Sequence, residues 1–142
     1  MLICSKYSPK LEENNVVVAT VMSNIGFEKS IKEQGKYFIR AKVGDRNVFE
    51  MLEKYEAKLG GEQSGHIILP DYNSTGDGLL NSLVLLEAIH KSGKTLKELK
   101  DEIQTEFFPQ VLLNVHVNQK NLDNVNIKNV IKIVESELGE KG

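Results

Sequence analysis

Gly60-Gly61-Glu62-Gln63-Ser64-Gly65-His66 runs into the apolar Ile67-Ile68-Leu69, and then into Asp71-Tyr72-Asn73-Ser74-Thr75-Gly76-Asp77-Gly78, which opens a helix. A carboxylate, an amide, a hydroxyl and an imidazole are thus packed between glycines in a strand–loop–strand–helix setting. A carboxylate can accept from two neighbouring sugar hydroxyls at once, so Glu62 suits sugar recognition, with Ser64 able to donate or accept beside it. Gly61 and Gly65 lack a Cβ, which lets the backbone adopt left-handed conformations and come close to a ligand. Taken singly, each residue has an ordinary reading: Gly60 and Gly61 form a hairpin-like turn and the polar side chains are solvated. It is the combination that points to a site.

Upstream of this stretch, strand and helix alternate. Asn15 to Met22 is β-branched and apolar on both faces, as in a buried strand of an α/β sheet. Asn24 is placed to cap a helix running to about Gln34 and ended by Gly35. Tyr37 to Ala41 reads as a second strand, with the Lys42-Val43-Gly44-Asp45-Arg46 loop at its carboxyl end, where such sheets place ligands. Val48, Phe49, Leu52 and Tyr55 then recur at helical spacing before Leu59 returns the chain to strand. Ahead of all this, Met1, Leu2, Ile3 and Tyr7 read as the last turns of an amphipathic helix with nothing to cap it, as expected of a truncated N-terminus.

Downstream, Gly78 to Ser92 is expected to be a long helix with Leu79, Leu80, Leu83, Val84, Leu86 and Ile89 in the core, capped by Ser74 or Thr75 and with Asp77 favoured by the helix dipole. Thr95 caps a short Lys/Glu-rich helix, read as a solvated connector. From Pro109 the pattern becomes strict alternation. Val111, Leu113, Val115 and Val117 fall on one face and Leu112, Asn114, His116 and Asn118 on the other, predicting a half-exposed strand. Ile127, Val130, Ile131, Val134 and Leu138 predict a final helix. The expected architecture is a layered α/β/α domain with a mixed sheet over residues 1–103, followed by an incomplete α+β domain over 104–142.

Composition narrows the function. The 142 residues carry 18 basic and 20 acidic side chains, a net charge of −2, with no basic stripe interleaved with aromatics, which argues against nucleic acid as a partner. Cys4 is the only cysteine, so neither an internal disulfide nor a multi-thiolate zinc site is possible within this chain. No apolar run approaches the ~20 residues of a membrane span, and no signal peptide is recognisable, so a cytoplasmic location and no membrane partner are expected. Asp71 to Gly76 imitates the start of an EF-hand, but the twelfth position is Ser82 where a bidentate glutamate belongs. Gly60, Gly61 and Gly65 do not make a dinucleotide fingerprint.

Gly-Glu-Gln-Ser-Gly-His at 61–66, the Thr-Gly-Asp-Gly helix start at 75–78 and Lys-Val-Gly-Asp-Arg at 42–46 together resemble the phosphoglucosamine mutases of the α-D-phosphohexomutase superfamily. The resemblance runs over nearly the whole chain. It implies an enzyme of four domains around a cleft that interconverts glucosamine 6-phosphate and glucosamine 1-phosphate through a bisphosphorylated sugar. A phosphoserine donates the phosphoryl group, and magnesium on an aspartate-rich loop stabilises the transferring charge. The Ser-His-Asn, aspartate-triplet and Ser-Gly-Thr-Glu-Pro segments of that enzyme are missing from these 142 residues. The chain therefore resembles the third domain and the start of the fourth. The implied partners are a phosphorylated amino sugar and the remaining domains of the same enzyme.

The resemblance also implies roles. Glu62 and Ser64 read the sugar hydroxyls, and a physical argument supports this: the intermediate must turn over between two transfers, and O3 and O4 trade places in that turn. Lys42, Asp45 and Arg46 lie near the substrate. His66 either shuttles protons, as an imidazole can near neutral pH, or orients the loop through a hydrogen bond, and both readings stay open. His90 and His116 read as surface residues. A reading from another class is a non-catalytic sugar-phosphate binding or interaction module that uses the same loop without chemistry.

Overall fold

A computed structural model describes residues 1–103, 105–116 and 123–139. It divides into two compact units, Met1–Phe108 and Pro109–Gly142. In the first, α1 (Leu2–Tyr7) and α2 (Pro9–Glu12) lead into β1 (Val16–Thr20), α3 (Ile25–Glu33), β2 (Tyr37–Ala41), α4 (Asp45–Lys54), β3 (Leu59–Gly61), β4 (Ile67–Ile68), α5 (Gly78–Ser92) and α6 (Leu96–Glu102). The strand order is β2-β1-β3-β4, with β1 parallel to both β2 and β3, and β4 antiparallel to β3. The sheet is mixed and its chain order reverses at β1, so the carboxyl ends of β1, β2 and β3 share one edge.

Alternation along β1 explains the layers. Val17 joins Cys4, Leu11, Ile31, Leu59, Leu69 and Val84, which places α1, α2, α3 and α5 on one face. Val18 joins Ala41, Val48, Leu52, Ala57 and Ile68, which places α4 on the other. The β-branched residues of β1 are buried on both sides because helices cover both. The α/β/α layering with a mixed sheet is the architecture expected from the sequence.

Caps fix where the helices begin. The Asn24 side chain accepts from the Gly26 N–H at 3.0 Å and also binds residue 108 twice: its Nδ2 donates to the Phe108 carbonyl at 2.6 Å and its Oδ1 accepts from the Phe108 N–H at 3.2 Å. One asparagine thus caps α3 and pins the end of the first unit to it. For α5 the cap is Asp77, whose carboxylate accepts from the Leu80 N–H at 3.0 Å. Ser74 and Thr75 lie too early, because the backbone stays outside the helix until Gly78.

Three further expectations are corrected. In α5 only Val84 and Ala88 are fully buried, with Leu80 and Leu85 half-buried, while Leu79, Leu83 and Leu86 are 75%, 57% and 59% exposed. A helix buries a stripe about 100° wide, and six large residues cover more arc than one neighbouring layer can occupy. The α6 helix is not merely a solvated connector: Leu99 is fully buried, and Glu102 is held by Lys6, Tyr7 and Lys94. In the second unit, residues 109–116 form no strand. Alternation marks a face but supplies no ladder partner, and without one among the described residues Val111, Leu113 and Val115 stay exposed. Val117 and Asn118 lie outside the described residues. α7 (Val125–Leu138) is the helix expected there, capped by Asn124.

Among the described residues, Lys36 is the cation buried in the core. Its ammonium donates to the carbonyls of Leu11, Glu12 and Asn14 at 2.9, 2.8 and 2.7 Å, tying the end of α2 to the start of β2. Burial pushes its pKa below the ordinary lysine range, with Glu12 pulling weakly the other way. Lys36→Met keeps the stem but strands the carbonyls, and is expected to cost about 1–3 kcal/mol. In a domain of about 100 residues each kcal/mol lowers Tm by about 4–8 °C. An unchanged melting curve would mean that water replaces the ammonium without loss.

Hydrogen bonds from Lys6, Lys94 and Tyr7 hold the Glu102 carboxyl at about 2, against a usual 4.5. Because the folded value is the lower one, this cluster contributes its full stability above about pH 4.5 and loses it as pH falls toward 2. Glu102→Gln should therefore flatten the acid limb of a plot of unfolding midpoint against pH in that window. An identical acid limb in the variant would show that Glu102 contributes nothing to acid stability.

Candidate functional site

The parallel edge places the loops after β2 and β3 on one side, and Glu62 is where they meet. Gly60 and Gly61 are not the turn: they are residues of β3, paired with Ile68 and Ile67. Gly61 is required by close approach rather than by a left-handed backbone, since a Cβ there would sit 2.5 Å from the His66 carbonyl oxygen. The reversal itself is the three-residue loop Gln63-Ser64-Gly65. It is closed by the Glu62 N–H on the His66 carbonyl at 2.8 Å and the Gly65 N–H on the Glu62 carbonyl at 3.1 Å, with Gly65 at φ +103°. A loop of this length commonly needs a glycine at positive φ as its last residue.

The hairpin fixes the Glu62 side chain at the edge of the sheet, only 10% exposed. One carboxylate oxygen, Oε1, accepts from the Gly44 N–H at 2.8 Å, joining the hairpin to the 42–46 loop after β2. The other, Oε2, lies 3.6 Å from His66 Nδ1, a contact that becomes an ion pair when the imidazole is protonated. His66 is 60% exposed and packs against a third loop, where a Cβ on Gly76 would lie 3.2 Å from its Cδ2. The carboxylate is thus positioned by a backbone N–H and keeps its second oxygen beside an accessible imidazole.

The remaining expected residues are placed less tightly. Ser64 stands exposed at the tip of the hairpin loop. Lys42 is exposed and makes no hydrogen bond or ion pair with the described residues, so its ammonium is available to an anion. Asp45 opens α4 and accepts from the Arg46 N–H at 2.7 Å, and Arg46 Nε bonds Glu50 one turn on at 3.1 Å. With Arg46 at 88% exposure, the Arg46–Glu50 pair is a weak surface contact that an anionic ligand can displace. The structure therefore brings Glu62 into contact with His66 and Gly44 and leaves Ser64 at the hairpin tip, Lys42 on the loop after β2 and Arg46 in the first turn of α4, all exposed.

Sequence reasoning had Gly44 and Gly76 within its 42–46 and 75–78 motifs but did not foresee that the Gly44 N–H meets Glu62 or that Gly76 lies against His66. Gly44 carries a readable signal, a glycine between a strand end and an aspartate that starts a helix, and its φ of +117° is one that a side chain resists. A cleft of about 850 Å³ lies elsewhere among the described residues, lined mostly by apolar groups such as Leu2, Phe27, Ile67, Leu85 and Ile103. It offers no carboxylate beside an imidazole, and an apolar lining suits a hydrocarbon surface better than a polyol. No group of three or more His, Cys, Asp or Glu among the described residues could hold a metal ion.

Residues 1–107 match the model of the phosphoglucomutase/phosphomannomutase α/β/α domain III. The whole chain aligns at 47% identity with a phosphoglucosamine mutase of Bacillus licheniformis, and at 46% with one of Listeria monocytogenes, covering 32% of each relative. It therefore spans about a third of the length of these curated relatives. A solved structure from Thermus thermophilus, assigned as a phosphomannomutase, superposes with a TM-score of 0.65 at 25% identity, over 72% of this chain and 24% of that one. With the layered sheet, the hairpin loop and these matches together, the chain belongs to the phosphoglucomutase/phosphomannomutase family, with residues 1–107 as its α/β/α domain III.

Proposed function

We propose that the chain is the sugar-reading part of a phosphoglucosamine mutase, which interconverts glucosamine 6-phosphate and glucosamine 1-phosphate through a phosphoserine and a bisphosphorylated sugar in the cytoplasm. The observation that carries this reading is the Glu62 carboxylate, held by the Gly44 N–H on one oxygen and presenting the other beside His66. The family match and the relatives' names support the substrate class.

In this reading Glu62 Oε2 and the Ser64 hydroxyl bond the adjacent O3 and O4 hydroxyls, which exchange places when the intermediate turns over. Lys42 meets a phosphate, with Arg46 released from Glu50 to join it, and Asp45 keeps the loop anchored on α4. His66 stands close enough to Glu62 to orient it, and exposed enough to take a proton from a sugar hydroxyl. Magnesium supplies charge stabilisation in the family's chemistry, but the described residues of this segment do not form a metal site. The phosphoserine and the metal loop would come from the remaining domains, so this segment alone is expected to bind sugar phosphate weakly, at about millimolar or worse, and not to turn over.

The test is Glu62→Gln in the complete enzyme. The amide can still accept from Gly44, but through only one terminal atom, so the grip on the sugar is lost. Losing one charge-assisted hydrogen bond, about 1.5–3 kcal/mol, should lower catalytic efficiency about ten-fold to a hundred-fold in both directions. The loosened intermediate should also escape more often, making the variant dependent on added bisphosphate. Normal efficiency with no need for bisphosphate would overturn the assignment of Glu62.

A further inference from the structure

The bond from Gly44 to Glu62 is only one end of a peptide unit. Its N–H belongs to the Val43–Gly44 peptide, and the carbonyl at the other end, on Val43, accepts from Asn47 Nδ2 at 2.7 Å. In a trans peptide the two groups point in opposite directions, so Glu62 and Asn47 hold one rigid plane from both sides. Rotating that plane would break both bonds at once and turn a carbonyl oxygen toward the Glu62 carboxylate. Gly44 makes such a rotation sterically easy, because its missing Cβ removes the usual obstacle. Asn47 also lies against the space where that Cβ would be, with Nδ2 3.2 Å from it. The Gly44 carbonyl is meanwhile fixed by the Val48 N–H at 3.1 Å, so the backbone of α4 holds the following peptide and the Asn47 side chain holds this one.

We propose that Asn47 is a positioning residue: it locks the Val43–Gly44 peptide with its N–H on Glu62 and thereby sets the orientation of the carboxylate that grips the sugar. The proposal deepens the reading above and rests on it for the identity of the ligand. It also carries a consequence for Lys42, since a flipped peptide would re-aim the residue just before it.

Asn47→Asp separates positioning from mere stability. Aspartate has the same size but cannot donate to the Val43 carbonyl, while in the first turn of α4 its negative charge is favoured by the helix dipole. In the 142-residue chain, the Gly44 amide proton should lie downfield and exchange slowly because it donates to a carboxylate. Glu62→Gln should move that proton upfield. Asn47→Asp should abolish the downfield position and the protection without lowering the melting temperature, and adding Glu62→Gln should then change the Gly44 signal no further. With glucosamine 6-phosphate as the probe, the response of the Glu62–His66 amides should need several-fold more ligand in Asn47→Asp than in the parent. An unchanged Gly44 signal in Asn47→Asp, or a lost signal with unchanged sugar response, overturns the proposal. If the parent chain shows no response to the sugar at Glu62–His66, the functional reading fails, and the Gly44 signal alone then decides whether Asn47 holds the peptide.

Discussion

A carboxylate that is nearly buried needs a donor, and in this chain the donor for Glu62 is the backbone N–H of Gly44. That one bond joins the hairpin after β3 to the loop after β2, two segments that arise from different βα units and share only the edge of the sheet. Left unpaired, the charge would turn out to solvent, and the carboxylate would lose its fixed direction even though the hairpin keeps its own ladder. With it made, one oxygen is committed to structure and the other is held ready, which is the arrangement that the proposed grip on a turning sugar calls for.

The fold contributes the conditions for that bond. β1 sits between β2 and β3, so the chain reverses direction across the sheet beside it and brings the two carboxyl ends within reach. The close pairing of Gly61 with Ile67 leaves no room for a side chain, and this draws the His66 backbone against β3 so that Glu62 and His66 face one another. Helix α4 begins at Asp45, immediately after the Gly44 peptide, so the packing of Val48 and Leu52 under the sheet also fixes the loop above it.

Most of the first unit was legible because its signals were local. β2 at Tyr37–Ala41 and α5 at Gly78–Ser92 have the bounds expected of them, since the apolar pattern marks both and Gly93 stops the helix, although the cap of α5 is Asp77 and not Ser74 or Thr75. What failed depended on neighbours that a sequence does not display. The apolar face of α5 was overestimated because Leu79 and Leu83 have no layer opposite them in this unit, and residues 111–116 alternate correctly yet have no strand to pair with among the described residues. At the site, the residue types in 61–66 were readable, whereas the reason for Gly61 is a 2.5 Å approach of another strand and the partner of Glu62 is a main-chain N–H eighteen positions away. Main-chain donors leave no letter in a sequence except, as at Gly44, through the glycine that aims them.

The most direct measurement is a crystal structure of the 142-residue chain soaked with glucosamine 6-phosphate at saturating concentration. The account predicts two adjacent sugar hydroxyls within hydrogen-bond distance of Glu62 Oε2 and Ser64, the phosphate turned toward Lys42, and the Gly44 N–H still on Oε1. A sugar bound instead in the apolar cleft beside Phe27 and Leu85, with Glu62 untouched, would contradict it.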